Sequence, residues 1–292
     1  MLRYGIPDFK LEKQVLDRRI DQMRAEGVSF KTNVNAGVDL SGTYLKRSFD
    51  AIVLAAGSRM PRDLKIPGRD LEGIHFAMDF LSRQNRINAD DAVPSDGLMS
   101  ATGKNVLVIG GGDTGSDCVG TSRRQGAKNI CQVEILPKPP ETRPYNNPWP
   151  DWPMTMRTSS SQEEGCERIW SVLAKECIGN SGSVAEVRFV RIEWTDSGVA
   201  GEFREIPDSE FTVSADFVLL SMGFLHVEHG ALITGLNLER DERGNVAVDT
   251  EFMTSEPGVF AAGDSVVGAS LVVRAIKQGR DAAEAVDRYL SE

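Results

Sequence analysis

Apolar positions along the chain change period several times, and each change marks an element. Leu11, Val15, Leu16, Ile20 and Met23 recur at helical spacing with charges between them, so the pattern predicts an amphipathic helix over 11–26, closed by Gly27. Val28–Val34 reads as a strand. Phe49–Gly57 is a short continuous apolar run stopped by glycine, the form of a strand buried on both faces of a parallel sheet. Residues 76–87 read as a second helix. Asn105–Gly110 is another buried strand, 113–125 a helix and Asn129–Leu136 a third strand; together they form a βαβ unit of about 30 residues. Antiparallel strands with turns at Asp196–Gly198 and Pro207–Asp208 are predicted over 184–213. Asp216–Phe224 and Gly258–Asp264 repeat the theme of a buried strand running into glycine, and a last helix is expected from about Ser270 to Leu290.

Two stretches interrupt this alternation. Ala92–Gly103 is polar and turn-rich and reads as a domain boundary. Residues 137–153 hold seven of the 13 prolines, together with Trp149 and Trp152. Proline at that density forbids ladder strands and helix interiors, so the segment is expected to be a stiff irregular loop. It is either a functional loop or a clasp pinned to the core by its tryptophans.

Composition narrows the function classes. The chain has 292 residues, long enough for one to two domains, and a net charge of −10. That balance disfavours nucleic acid and anionic membrane surfaces as partners. No apolar run approaches a membrane span, and the first residues lack a signal-peptide layout, so the cytoplasm is the expected compartment. Cys118, Cys131, Cys166 and Cys177 form no CxxC pair, which argues against a disulfide framework and against an iron–sulfur cluster or other metal site in this chain.

The sharpest local signal is Gly110, Gly112 and Gly115, a G-x-G-x-x-G directly after a strand and opening a helix. In that context the first glycine permits a tight turn, the second lets backbone approach a pyrophosphate, and the third allows close helix–strand packing. The helix N-terminus then offers free N–H groups to phosphate. Glu134, 24 residues after Gly110, is placed to take a ribose 2′-hydroxyl, while Arg123, Arg124 and Lys138 could hold a 2′-phosphate. An Arg pair at a helix end is also a plain solvated face. Gly263-Asp264 puts a carboxylate at the end of a buried strand, where it could accept from a sugar or ribityl hydroxyl or act only as an N-cap. No acid–base catalytic side chain is singled out.

FDAIVLAAG, GGGDTGSD and GVFAAGD resemble the pyridine nucleotide–disulfide oxidoreductase superfamily of two-dinucleotide flavoproteins. LRYGIPDFKLEK (2–13), GGGDTGSDCVGTSRRQGAK (110–128) and LPKPPETRPYNNPWP (136–150) are similar to the small (beta) subunits of glutamate synthase. The resemblance implies an α/β fold with a Rossmann-like NADPH-binding domain inserted in an FAD-binding domain. It implies an oxidoreductase that passes hydride from NADPH to FAD and electrons toward a large subunit that makes glutamate. By position, Gly110, Gly112, Asp113, Thr114 and Gly115 would contact NADPH, with Arg123 or Arg124 near its 2′-phosphate. Ala56 and Gly57 would lie beside the dinucleotides, Gly263 and Asp264 at the flavin ribityl, and the helix start at Ser270 against the flavin ring.

The chain departs from that family by lacking its cysteine-rich start and its first FAD-binding βαβ. The expected layout is therefore a partial FAD-binding domain over 1–98, an NAD(P)H-binding domain over 99–224 and a C-terminal FAD segment over 225–292, with the FAD domain incomplete. An alternative reading is a truncated nucleotide-binding module, inactive alone or completed by a partner chain that supplies the missing segment. Homodimerisation, partner binding or poor solubility would follow from an open sheet edge. A thioredoxin reductase-like enzyme is disfavoured because that chemistry uses a CxxC pair.

Overall fold

A computed structural model describes residues 1–93, 99–151, 153–195 and 202–292. The elements in chain order are α1 (Lys13–Ala25), α2 (Gly42–Ser48), β1 (Ile52–Leu54), β2 (Ile74–Phe76), α3 (Ala77–Asn88), β3 (Asn105–Ile109), α4 (Asp113–Arg124) and β4 (Asn129–Glu134). They continue as α5 (Ser160–Glu163), β5 (Glu167–Trp170), β6 (Val172–Asn180), β7 (Ser183–Trp194), β8 (Phe203–Glu205), β9 (Phe211–Ser214) and β10 (Phe217–Leu220). The last are α6 (Ala231–Gly235), β11 (Val259–Ala261), α7 (Asp264–Val267) and α8 (Val272–Ser291). The chain divides into two units, Met1–Gln22 with Asp63–Met222, and Met23–Arg62 with Gly223–Glu292.

The first unit is built on a five-stranded parallel sheet in the order β2-β10-β3-β4-β5. Its central strands are buried along almost their whole length, as their unbroken apolar runs require. Alternate residues feed two cores. Leu107, Ile109, Cys131, Val133, Val218 and Leu220 pack toward the antiparallel strands β6 and β7, against Val172, Val187 and Phe189. Val106, Val108, Ile130, Phe217 and Leu219 pack toward the helices, against Ala77, Phe80, Leu81 and Val119. From β3 the chain winds through α4 to β4 and on to β5, while β10 pairs on the other side of β3. The crevice between β3 and β10, past their carboxyl ends, is the switch point at which open α/β sheets take ligands.

The second unit is smaller. β1 and β11 form a two-stranded parallel sheet over Leu54, Val227, Ile233, Leu236, Leu238, Val246, Val259 and Ala261. β1 leaves Val53 46% exposed, and α8 buries only Ala282 and Ala285 while Leu271, Val272, Val273 and Ile276 stand exposed.

Several expectations shift. Val28–Val34 forms no strand; its residues are solvent-exposed and pair with no strand among the described residues. The helix over 11–26 exists as α1, yet none of its residues is fully buried. The boundary expected at 98/99 falls inside the first unit. β2 joins the parallel sheet beside β10, and Ala101 is fully buried with its N–H donating to Gln125 Oε1 at 2.7 Å. Residues 94–98 of that turn-rich stretch, the turn at 196–198 and Trp152 lie outside the described residues. β5 and β6 lie outside the predicted strands. The described residues of the proline-rich segment carry no helix or strand up to Ser159, and Trp149 is 83% exposed, so that tryptophan does not pin it to a core. All four cysteines are free; three are buried and Cys166 is half-buried. Burial pushes the Cys131 thiol up to about 12. Among the described residues no helix is long and apolar enough to cross a membrane.

Candidate nucleotide site and its neighbours

The turn from β3 into α4 is shaped by steric demand at two glycines. Gly110 has φ +122°, and a Cβ there would sit 2.3 Å from the carbonyl oxygen of Ser221. A Cβ on Gly115 would lie 2.3 Å from the Gly110 carbonyl oxygen and 2.7 Å from Gln132 Nε2. Gly112 differs, because a Cβ there meets nothing within 4 Å. The turn is thus jammed on its protein side and open on its other side.

The peptide joining Gly110 to Gly111 is fixed at both ends. Its carbonyl accepts from Gln132 Nε2 at 2.9 Å and Ser221 Oγ at 3.3 Å, and its N–H donates to the Glu134 carboxylate. Gly112 is the N-cap of α4 and offers no side chain to the helix, whose first internal bond runs from Ser116 N to Gly112 O at 3.0 Å. The N–H groups of Asp113, Thr114 and Gly115 therefore have no intrahelical acceptor. They carry the partial positive charge of the helix end.

Glu134 caps the Gly111 N–H and also accepts from Leu136 N at 3.2 Å, so its carboxylate serves this turn rather than standing free. The structure does not bring Arg123 and Arg124 to the turn. They close the opposite end of α4, about 15 Å from Asp113 at the rise of an α-helix. Arg124 makes a two-pronged pair with Glu164 (2.6 and 2.8 Å) over the Phe9 ring, and Arg123 donates to the Gly165 carbonyl. Lys138 follows β4 and lies over the ring of Trp170, which pairs with Glu134 in register; Arg168, within β5 opposite Gln132, lies over the same ring and donates to Arg157 O at 3.2 Å. Asp117, one turn into α4, has its carboxyl raised from 3.8 to about 6, chiefly by burial, with the like charge of Asp113 adding and Lys10 and Lys13 opposing. Gln132 and Ser221 are absent from the sequence reading. A lone glutamine inside the strand NICQVE is the one signal that could have found the first; Ser221 had none beyond following a buried strand.

In the second unit, Ala56 and Gly57 follow the carboxyl end of β1, and Gly57 (φ +77°) faces open space. Ser265 Oγ donates to Leu54 O of β1 and to the carbonyl of Ala262, the residue after β11. Gly263 rather than Asp264 is the N-cap of α7, and its N–H donates to Gln278 Oε1 at 2.8 Å. Asp264 Oδ1 instead accepts from Ser270 N (3.2 Å) and Ser270 Oγ (2.8 Å), closing the connection into α8. Among the described residues no group of three or more His, Cys, Asp or Glu side chains is arranged to hold a metal ion.

Comparison with known proteins gives a consistent set of relatives. Residues 13–279 match the family described as pyridine nucleotide-disulphide oxidoreductase. The chain is 50% identical over 293 residues to the glutamate synthase [NADPH] small chain of Mycobacterium tuberculosis, covering 99% of this chain and 59% of that one. It is 43% identical over 307 residues to glutamate synthase [NADH] of Saccharomyces cerevisiae, covering 100% of this chain and 14% of that one. It is 34% identical over 300 residues to the Escherichia coli small chain, with 99% and 61% covered. The chain thus spans about three-fifths of these bacterial relatives. Among solved structures, Mycobacterium tuberculosis FprA in complex with NADPH superposes with a TM-score of 0.71 at 16% identity, over 99% of this chain and 74% of that one. Thioredoxin reductase of T. acidophilum gives 0.56 at 20%, over 83% and 66%. Both likenesses bear on the fold.

Proposed function

The chain belongs to the pyridine nucleotide-disulphide oxidoreductase family, and from that premise we propose that it is the NADPH-oxidising part of a glutamate synthase small chain. One observation carries the reading. At the switch point of the parallel sheet, an uncapped helix end meets a turn that is open at Gly112 and clamped at Gly110–Gly111. That is a seat for a diphosphate on backbone amides, with Gly110, Gly112, Asp113, Thr114 and Gly115 forming it. Lys138, just past β4 and over the ring of Trp170, is a cation available to a 2′-phosphate there. Arg123 and Arg124 serve the structure of α4.

FAD is the second cofactor the family implies. The second unit fits part of it, since Gly57 is open above the end of β1 and Asp264 is held in place by Ser270. Ala56, Gly57, Gly263, Asp264 and the start of α8 at Ser270 would hold its ribityl and ring end. When bound, FAD accepts hydride from the nicotinamide and passes electrons onward. The residues named bind and orient; none of them transfers a proton in this reading. The electrons would leave for a large chain. The bacterial relatives are glutamate synthase small chains, while the region similar to this chain makes up 14% of the yeast relative.

A second reading, a nucleotide-binding module that needs a partner to complete its flavin site, is favoured by the second unit. Its sheet has two strands, and Val53 and the start of α8 expose apolar side chains. Adding FAD to the purified chain and assaying NADPH oxidation with an artificial acceptor separates the two. Flavin uptake with turnover supports the oxidoreductase, and NADPH binding without flavin uptake supports the module. Binding of neither defeats both.

A further inference from the structure

A buried polar circuit leaves the glycine-rich turn at one end and returns to it at the other. Gln132 lies mid-strand in β4, 2% exposed, on the face where Ile130 joins the helix-side core and an apolar residue is expected. Its Nε2 donates to Gly110 O at 2.9 Å, and its Oε1 accepts from Gln162 Nε2 at 2.8 Å. Gln162 belongs to α5, where it completes a capping box with Ser159: Ser159 N donates to Gln162 Oε1 at 2.9 Å and Gln162 N to Ser159 Oγ at 3.3 Å. Ser159 Oγ then meets Ser116 Oγ, in the first turn of α4, at 2.6 Å. The segment from Gly110 to Ser116 is therefore held at both ends by one chain of side chains that passes through α5.

We propose that Gln132, Gln162 and Ser159 are positioning residues for the diphosphate seat, making occupancy of the turn and the order of α5 one coupled event. The physical ground is that a buried amide side chain costs free energy unless all its groups are paired, and here each pairing fixes the next. With Gly110 O held by Gln132, the Gly110–Gly111 peptide cannot rotate, and the amides beyond it stay aimed at one point. Because α5 follows the proline-rich segment, that segment's far end is anchored to the seat. The proposal rests on the nucleotide reading given above, but its structural half does not need nucleotide to be tested.

The experiment uses the full chain and two single variants, Gln132→Met and Ser159→Ala, with Gln162→Met, read at Gly111, replacing the first where it fails to fold. Amide hydrogen exchange of the ligand-free proteins is read at the far end of the circuit. The circuit requires Gln132→Met to speed exchange of the Gln162 and Glu163 amides, and Ser159→Ala that of Gly111, each by roughly tenfold, the factor one lost buried hydrogen bond carries. Amides of the β6–β7 hairpin should not change. Acceleration confined to the substituted element, or spread evenly over the unit, overturns the proposal. Affinity supplies the second readout. Gln132→Met should weaken NADPH about tenfold and leave 2′-AMP, which has no diphosphate, within about twofold. Equal weakening of both ligands means a merely structural role. If the unaltered chain does not bind NADPH, the nucleotide reading falls, and the exchange data alone decide whether the circuit exists.

Discussion

Gly112 and Gly115 lie three residues apart on one turn, yet the structure assigns opposite consequences to the same added methyl group. At Gly112, φ is −77° and a Cβ meets nothing within 4 Å, so alanine fits the folded chain. Its cost is that of a poorer N-cap, about 0.5–1 kcal/mol, or about 2–4 °C in Tm at most. The new methyl occupies the space through which a diphosphate would approach the amides of 113–115. Pushing the phosphates back by even one bond length weakens two or three charge-assisted hydrogen bonds, each worth about 1.5–3 kcal/mol. Gly112→Ala should therefore weaken NADPH by about 10- to 100-fold while the protein melts almost as before. At Gly115 a Cβ would sit 2.3 Å from the Gly110 carbonyl oxygen, a backbone atom that cannot swing aside. Gly115→Ala should cost about 1–3 kcal/mol of stability as overpacking, whether or not nucleotide is present. Calorimetric titration with NADPH and thermal melts of the three proteins check the pair. Affinity of Gly112→Ala within twofold of the unaltered chain, in a protein that melts normally, would refute the seat.

Three further outcomes follow from the same geometry. Lys138→Ala should weaken NADPH about tenfold and leave NADH nearly unchanged, whereas Arg124→Ala should alter neither affinity and cost at most about 1 kcal/mol through its exposed pair with Glu164; paired titrations with the two nucleotides decide between them. Asp117, raised to about 6 in the folded chain against 3.8, binds its proton more tightly when folded, so its contribution to stability declines as pH climbs from about 4 to 6 and stays low above that. Asp117→Asn should thus stabilise the protein at pH 7 by about 1 kcal/mol, after allowance for its partial exposure, and show no gain at pH 3.5, as denaturant melts at both pH values would reveal. Glu134→Ala frees the Gly111 N–H and should loosen NADPH and NADH by a similar factor, because the carboxylate holds the turn and not the ribose; a selective loss of NADH would contradict this.

The parallel core was legible because its signal is local. Asn105–Ile109 and Phe217–Leu220 are continuous apolar runs, and continuous runs are what a strand covered on both faces needs. The glycine-rich turn was legible because its spacing falls directly between an apolar strand and a helix, although the atom that forbids a side chain at Gly110 belongs to distant Ser221. What escaped depends on distant pairing. Val28–Val34 has the composition of a strand but no ladder to join, and β5 is a strand because β4 lies beside it. Closeness in sequence suggests Arg123 and Arg124 as phosphate ligands, yet a helix of 12 residues carries them to its opposite end from the turn. A turn-rich stretch marks a loop and need not divide a chain: residues 92–103 fall within the first unit, where β2 before them pairs with β10 after them. Gln132 reads by pattern as an ordinary strand residue, although a polar side chain in a buried strand demands a partner.

The account stands or falls on the amides of Asp113, Thr114 and Gly115. In an ¹⁵N spectrum of the full chain titrated with NADPH, these three resonances and that of Gly112 should shift together and saturate, with 2′-AMP moving them far less. Saturable NADPH binding that leaves all four unmoved, while resonances elsewhere shift, would place the nucleotide at another site and remove the basis of the assignment.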